Sequence, residues 1–302
     1  RVRSSAASDV YKRQVVGFMF VMLLIGTIAS SLIFGAFLRD FTPGRLVQVL
    51  QTAAVVTLIL NTIALWKQES RRPNRPAPTA RADFSLAWRT YIESDGTRRR
   101  LFAIGLGTMA FSMQDVLLEP FGGEVLRMGV GATTWLTAAL ATGGLLGFSV
   151  ASAVLSRGFD PARMSQFGAA IGLPAFGAVL IAASFLSVPL FGMAVVMIGF
   201  GAGLFSHGTL TLTMNRSPPD QAGLALGVWG AVQATSAGAG MALGGIGRDL
   251  IDALARNQVF GAVFDRPATG YAFIYAVEMV LLLLTVIVMG RLLASSGAST
   301  PA

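Results

Sequence analysis

Long apolar runs separated by short polar breaks occupy most of the chain. Bilayer hydrocarbon is about 30 Å thick and a helix rises about 1.5 Å per residue, so about 20 mostly apolar residues cross it. Eight runs meet that requirement, at 15–38, 46–66, 101–119, 133–155, 164–186, 188–214, 222–246 and 271–293. They predict an all-α, polytopic helical membrane protein. Lipid offers no partner to an unpaired backbone amide, and the runs lack the short alternation of a barrel strand.

Composition supports the same class. Charged residues make up 13% of the 302 positions and hydrophobic ones 54%, where soluble domains carry about 25% charged residues. The mean hydropathy is +0.66. With no cysteine, disulfides, thiol nucleophiles and thiolate metal sites are excluded. A single histidine, His207, leaves no multi-histidine metal centre. No phosphate-cradling loop, HExxH helix or nucleophile elbow is present, so an enzyme is not expected.

The net charge of +8 would suit nucleic acid, but its distribution points to membrane topology. Loop 67–100 carries nine of the 23 cationic residues, including Arg71, Arg72, Arg75, Arg81 and the run Arg98, Arg99 and Arg100. The positive-inside bias therefore places this loop in the cytoplasm. Alternating spans from there leave 13 cationic residues inside and six outside. No nucleic-acid partner is needed.

Residues 1–14, RVRSSAASDVYKRQ, read as a non-native tail resembling translated adapter sequence, with an ordinary polar tail as the other reading. Two spans follow at 15–66, then the basic, Pro-rich linker 67–100, six spans at 101–293 and a cytoplasmic tail at 294–302. Two spans before a long cytoplasmic loop and six after it fit the later part of a major facilitator-type fold, as spans 5–12 of twelve. Glycines four residues apart mark close helix contacts: Gly143/Gly147, Gly168/Gly172, Gly199/Gly203, Gly223/Gly227 and Gly240/Gly244.

Ionisable groups at membrane depth are costly and mark functional positions. Asp115 and Glu119, beside Gln114, fall on one helical face near the outer end of their span, where Pro120, Gly122 and Gly123 are expected to end the helix. This pair would take a proton, a cation or a partner, or simply reach water. Glu278 lies in the last span among apolar neighbours and would be held protonated, paired with a partner's cation, snorkelled to the interface or hydrogen-bonded internally. His207 would serve as axial ligand to a tetrapyrrole, with Gly201, Gly203 and Gly208 leaving room for a flat ring, or would bond a neighbour such as Thr211.

Several stretches go beyond composition. QDVLLEPFGGEVL at 114–126, GATTWLTA at 131–138, HGTLTLTM at 207–214 and GLALGVWGAVQA at 223–234 resemble the PucC/LhaA family, the bacteriochlorophyll-delivery branch of the major facilitator superfamily. The resemblance covers most of the chain from about Val15, with the first four spans of that fold absent. It implies an assembly factor for light-harvesting complexes in a bacterial inner, intracytoplasmic photosynthetic membrane. The implied partners are the lipid bilayer, antenna polypeptides and bound bacteriochlorophyll, with no covalent cofactor. On that resemblance Gln114, Asp115, Glu119 and Pro120 form the family's signature helix end, and His207 is the candidate pigment ligand. The alternative is a proton-coupled secondary transporter of a small solute, using Asp115, Glu119 or Glu278.

Overall fold

The computed structural model describes residues 2–66, 84–94, 96–217, 221–259, 261 and 266–297. No strand occurs among them. The helices are α1 (Val2–Phe37), α2 (Pro43–Leu65), α3 (Phe84–Glu93), α4 (Thr97–Met113), α5 (Leu118–Glu124), α6 (Val130–Leu155), α7 (Pro161–Phe185), α8 (Val188–Asn215), α9 (Ala222–Arg256) and α10 (Thr269–Gly297), and a 3₁₀ turn (Gln114–Val116) joins α4 to α5.

Several helices start on local chemistry. Asp160 Oδ1 accepts from the backbone N–H groups of Ala162 and Arg163 at 2.7 and 3.2 Å, and Pro161 takes the first position of α7, where no amide proton is needed. Thr42 caps α2 in the same way through Arg45 N–H at 3.1 Å, followed by Pro43. Ser187 and Pro189 open α8.

Six helical stretches are long and apolar enough to cross a membrane: Pro43–Leu65, Thr97–Glu124, Val130–Leu155, Pro161–Phe185, Val188–Asn215 and Thr269–Leu293. The expected spans 15–38 and 222–246 fall on α1 and α9, which are less uniform. The apolar part of α1 is Val21–Phe37. In α9 the apolar run is diluted by Gly, Ala, Ser, Thr and Gln and continues beyond 246 into Arg248, Asp249 and Asp252.

Glycine brings the helices together. A Cβ at Gly143 or Gly147 would run into the carbonyl oxygens of Val196 and Phe200 on α8, and one at Gly199 or Gly203 into those of Leu140 and Gly144 on α6. The two four-residue pairs therefore face each other across one seam, where backbones touch because no side chain intervenes. Added Cβ atoms at Gly240 and Gly244 would lie 2.7 and 2.8 Å from the carbonyl oxygens of Met109 and Met113, which seats α9 on α4. Gly168 packs on Gly201 and Phe205 of α8, while Gly172 admits Leu282 and Phe111. Gly223 and Gly227 depart from the expectation: nothing lies within 4 Å of a Cβ at either. They border an open groove of 650 Å³ shared with Trp88 and Val232. Equal spacing fixes which residues share a helix face, but not whether another helix covers it.

Within the stretch expected as linker, α3 forms and α4 starts at Thr97. Trp88, Tyr91 and Ile92 fall on one side of α3, and Tyr91, 2% exposed, packs on Ala225 and Val228 of α9. The Pro-rich stretch 71–81 lies outside the described residues. At the other boundaries, α1 already includes residues 2–14, and α10 continues to Gly297.

Candidate functional site

The expected helix end at Pro120 is not where the helix breaks. Regular winding stops after Met113, the 3₁₀ turn follows, and α5 resumes with Pro120 in its first turn. Proline is tolerated there because first-turn amides have no intrahelical partner. Gly122 lies inside α5 against Leu136 and Thr133 of α6.

This break separates the two acids expected on one face. Asp115 stays at the surface of the described residues, with its Oδ1 accepting from Gln114 Nε2. Glu119 turns to α6 and accepts from Thr137 Oγ1 at 2.8 Å. Gln114, 2% exposed, also donates to the Phe111 carbonyl at 3.3 Å, while its own Oε1 has no partner.

Glu278 is fully buried, and neither carboxylate oxygen has a hydrogen-bond partner. It therefore does not reach water at an interface or bond internally. Its electrostatic neighbours are Asp115 and Tyr275. Tyr275 is likewise fully buried with an unpartnered hydroxyl, and its ring lies 5.5 Å from Phe121 and 5.9 Å from Phe176. The sequence singled out Glu278 but not Tyr275, whose spacing of three residues from Glu278 was the available signal.

His207 lies elsewhere, in an open groove of 770 Å³ between α1, α6 and α8 lined by Phe18, Val21, Phe148, Ser152, Thr211 and Met214 among others. Its ring meets Phe148 edge-on, centroids 4.2 Å apart. Its Nδ1 is buried and has no hydrogen-bond partner, so the expected bond to a neighbour such as Thr211 is not made there. Gly201, Gly203 and Gly208 do not open space for a ring. They pack on Gly168, Gly144 and Ser165 respectively, because those glycines face α6 and α7 and not the groove.

A third constellation, absent from the sequence reading, joins α5, α9 and the start of α10. Arg248 pairs with Glu124, with Asp249 at 2.9 Å and with Asp252 at 3.0 Å. Tyr271 donates to Glu124 Oε2 at 2.8 Å, and Asp252 accepts from Gly270 N–H at 2.9 Å. Three charged residues within five positions of α9, Arg248, Asp249 and Asp252, were the signal. Among the described residues no group of three or more His, Cys, Asp or Glu side chains forms a metal site.

A family model described as "PUCC protein" matches residues 3–297. Among curated relatives, Protein PucC of Rhodovulum sulfidophilum is 54% identical over 253 residues, covering 81% of this chain and 56% of that protein. Protein PucC of Cereibacter sphaeroides is 46% identical over 298 residues, covering 97% of this chain and 64% of that protein. The chain thus spans less than two thirds of either relative. Among solved structures, a bacterial homolog of the human lysosomal transporter Spinster, inward-facing and unoccupied, superposes with a TM-score of 0.50 at 17% identity over 91% of this chain and 66% of that one. That likeness shows the major facilitator-type fold. The match of the family model over nearly the whole length, on helices packed in that fold, means that the chain belongs to the PUCC protein family.

Proposed function

We propose that the chain is part of a non-enzymatic membrane assembly factor for bacterial light-harvesting complexes, one that binds bacteriochlorophyll or delivers it to antenna polypeptides. The observation that carries this reading is the apolar groove of 770 Å³ that His207 lines, with no protein group bonded to the buried Nδ1 of its ring. Ligand sites are concave, mostly apolar and supplied with a few polar groups, commonly in about 300–1,000 Å³. A neutral imidazole would be a good donor to a metal already held by a macrocycle. The macrocycle would bring its own magnesium and π-surface; Phe148, Val21 and Met214 would supply apolar contact, and Ser152 and Thr211 hydrogen bonds. On this reading the protein sits in the bacterial inner, intracytoplasmic photosynthetic membrane with residues 67–100 facing the cytoplasm.

The test is the near-infrared absorption of the protein purified in mild detergent from a phototrophic host, beside His207→Ala. Stoichiometric bacteriochlorophyll that is lost in the variant supports the reading. A colourless, folded protein overturns it in favour of protein-only chaperoning or solute transport.

A further inference from the structure

Four buried oxygens without partners gather at one level of the bundle: both carboxylate oxygens of Glu278, Tyr275 Oη and Gln114 Oε1. The register between α10 and α4 brings them there. Tyr275 touches Phe121 just beyond the 3₁₀ turn, whereas Leu282 and Phe111 meet at Gly172 just before it. Glu278, between Tyr275 and Leu282, therefore stands opposite the turn that carries Gln114 and Asp115. An ionised carboxylate buried without a donor is far costlier than a carboxylic acid, because nothing replaces the water it has lost.

The charged and titratable groups around Glu278 are few. On α10 they are Tyr275 and, one turn further, Tyr271. From the 3₁₀ turn comes Asp115. The face that α7 turns to α10 is Gly172 and Phe176, and its only charged residue, Arg163, is at the far end. The charges of α9 at this side, Arg248 and Asp252, are committed to Glu124, Asp249 and Gly270. Glu119 is held by Thr137. No cation reaches Glu278 from any of these elements.

We propose that Glu278 is a buried proton-binding site, loaded and emptied through Asp115, with Gln114 as the positioning residue that aims Asp115. Gln114 Nε2 occupies Asp115 Oδ1, so Oδ2 is the oxygen left to carry the proton. The two carboxyl groups are not in hydrogen-bond contact, so loading takes a side-chain movement that brings them together; the Oδ2–H bond of Asp115 then breaks and an O–H bond forms on the Glu278 carboxylate. Asp115 is left as carboxylate and takes up the next proton on its exposed side. Glu278, the more deeply buried of the two, holds the proton more tightly, so transfer favours loading and emptying is the slower direction. The site is independent of pigment binding, being built from α4, α10 and the turn and not from α1, α6 and α8.

The test is infrared difference spectroscopy of the purified protein at neutral pH, following the C=O stretch of protonated carboxyl groups through exchange into heavy water. A protonated-carboxyl band is expected in the parent and lost in Glu278→Gln. Asp115→Asn should keep the band but slow its deuterium shift by about a hundredfold, the lower end of what a positioned proton-transfer group contributes. Gln114→Leu should slow it without removing the band, which a merely structural role would not do. Should Glu278→Gln fail to fold, Tyr275→Phe, which removes a neighbouring buried hydroxyl, is expected to shift the band's frequency. Absence of the band, a band indifferent to Glu278→Gln and Tyr275→Phe, or exchange unchanged in Asp115→Asn overturns the proposal. So does disappearance of the band on adding sodium chloride at fixed pH, which would make this a metal-cation site.

Discussion

Arg248 lies over the ring of Tyr271, its guanidinium carbon 4.6 Å from the ring centroid, and both residues bond the same oxygen of Glu124. One planar cation thereby ties the end of α9 to α5 and to the first turn of α10. A fork that stacks on an aromatic face while reaching carboxylates is a task lysine performs poorly, since its ammonium is a compact, strongly hydrated point charge. Arg248→Lys is therefore expected to lower stability by about 1 kcal/mol, the scale of a partly shielded cation–π contact. Thermal unfolding in detergent followed by tryptophan fluorescence checks this.

The partners of Arg248 are not equal. The Asp249 side chain is 73% exposed and that of Asp252 13%, so water screens the first pair and not the second. Asp252 also holds the Gly270 amide. Asp249→Asn is expected to leave the unfolding midpoint unchanged, whereas Asp252→Asn should cost about 1–2 kcal/mol and loosen the start of α10. Equal effects of the two substitutions, measured by thermal unfolding, would contradict this ranking.

Glycine substitutions divide in the same way. At Gly147 any side chain meets the Phe200 backbone, which cannot move aside without parting α6 from α8, whereas Gly227 has open space. Gly147→Leu should abolish the folded, monodisperse protein. Gly227→Ala should instead stabilise α9 by about 0.5–1 kcal/mol, because alanine loses less backbone entropy on entering a helix. Size-exclusion chromatography in detergent and denaturation in mixed micelles distinguish the two.

What the sequence disclosed, and what it withheld, follows from how far each feature depends on neighbours. The transmembrane helices were legible because lipid imposes length and apolarity locally. The pairs Gly143/Gly147 and Gly199/Gly203 were legible because each met the other, while Gly223/Gly227, with the same spacing, lies on an open face. The break after Met113 was hidden because Asp115, Val116 and Leu117 carry no glycine or proline to announce it, and Pro120 pointed too far along the chain. Glu278 drew attention as an acid in an apolar span. Tyr275 did not, because a tyrosine ring in such a span is ordinary until its hydroxyl proves unpartnered.

The side chain of α3 most deeply buried among the described residues is Tyr91. Tyr91 is buried against Ala225 and Val228 while Trp88 and Leu86 remain exposed. Tyr91→Ala is expected to cost about 3–5 kcal/mol locally, as for other large buried aromatics, and to release α3 without unfolding the bundle. Limited proteolysis should then cut within 84–93 while the core, followed by hydrogen exchange, keeps its protection. Loss of protection throughout α4 to α10 would show instead that α3 and the bundle unfold as one unit.

His207 offers the contrast between a residue kept for packing and one kept for binding. Its buried Nδ1 makes no hydrogen bond, so losing that nitrogen breaks none. Replacing an unsatisfied polar group by an apolar one of similar size is close to neutral or favourable. His207→Leu should therefore leave the unfolding midpoint within the equivalent of about 1 kcal/mol of the parent, or raise it. The edge-on contact with Phe148 at 4.2 Å is lost, and a leucine restores most of its apolar contact. A drop of several kcal/mol in thermal unfolding would mean that the imidazole is structural and would remove the main support for a ligand in this groove. An unchanged midpoint would leave that imidazole without a structural task, in a groove whose other walls are mostly apolar.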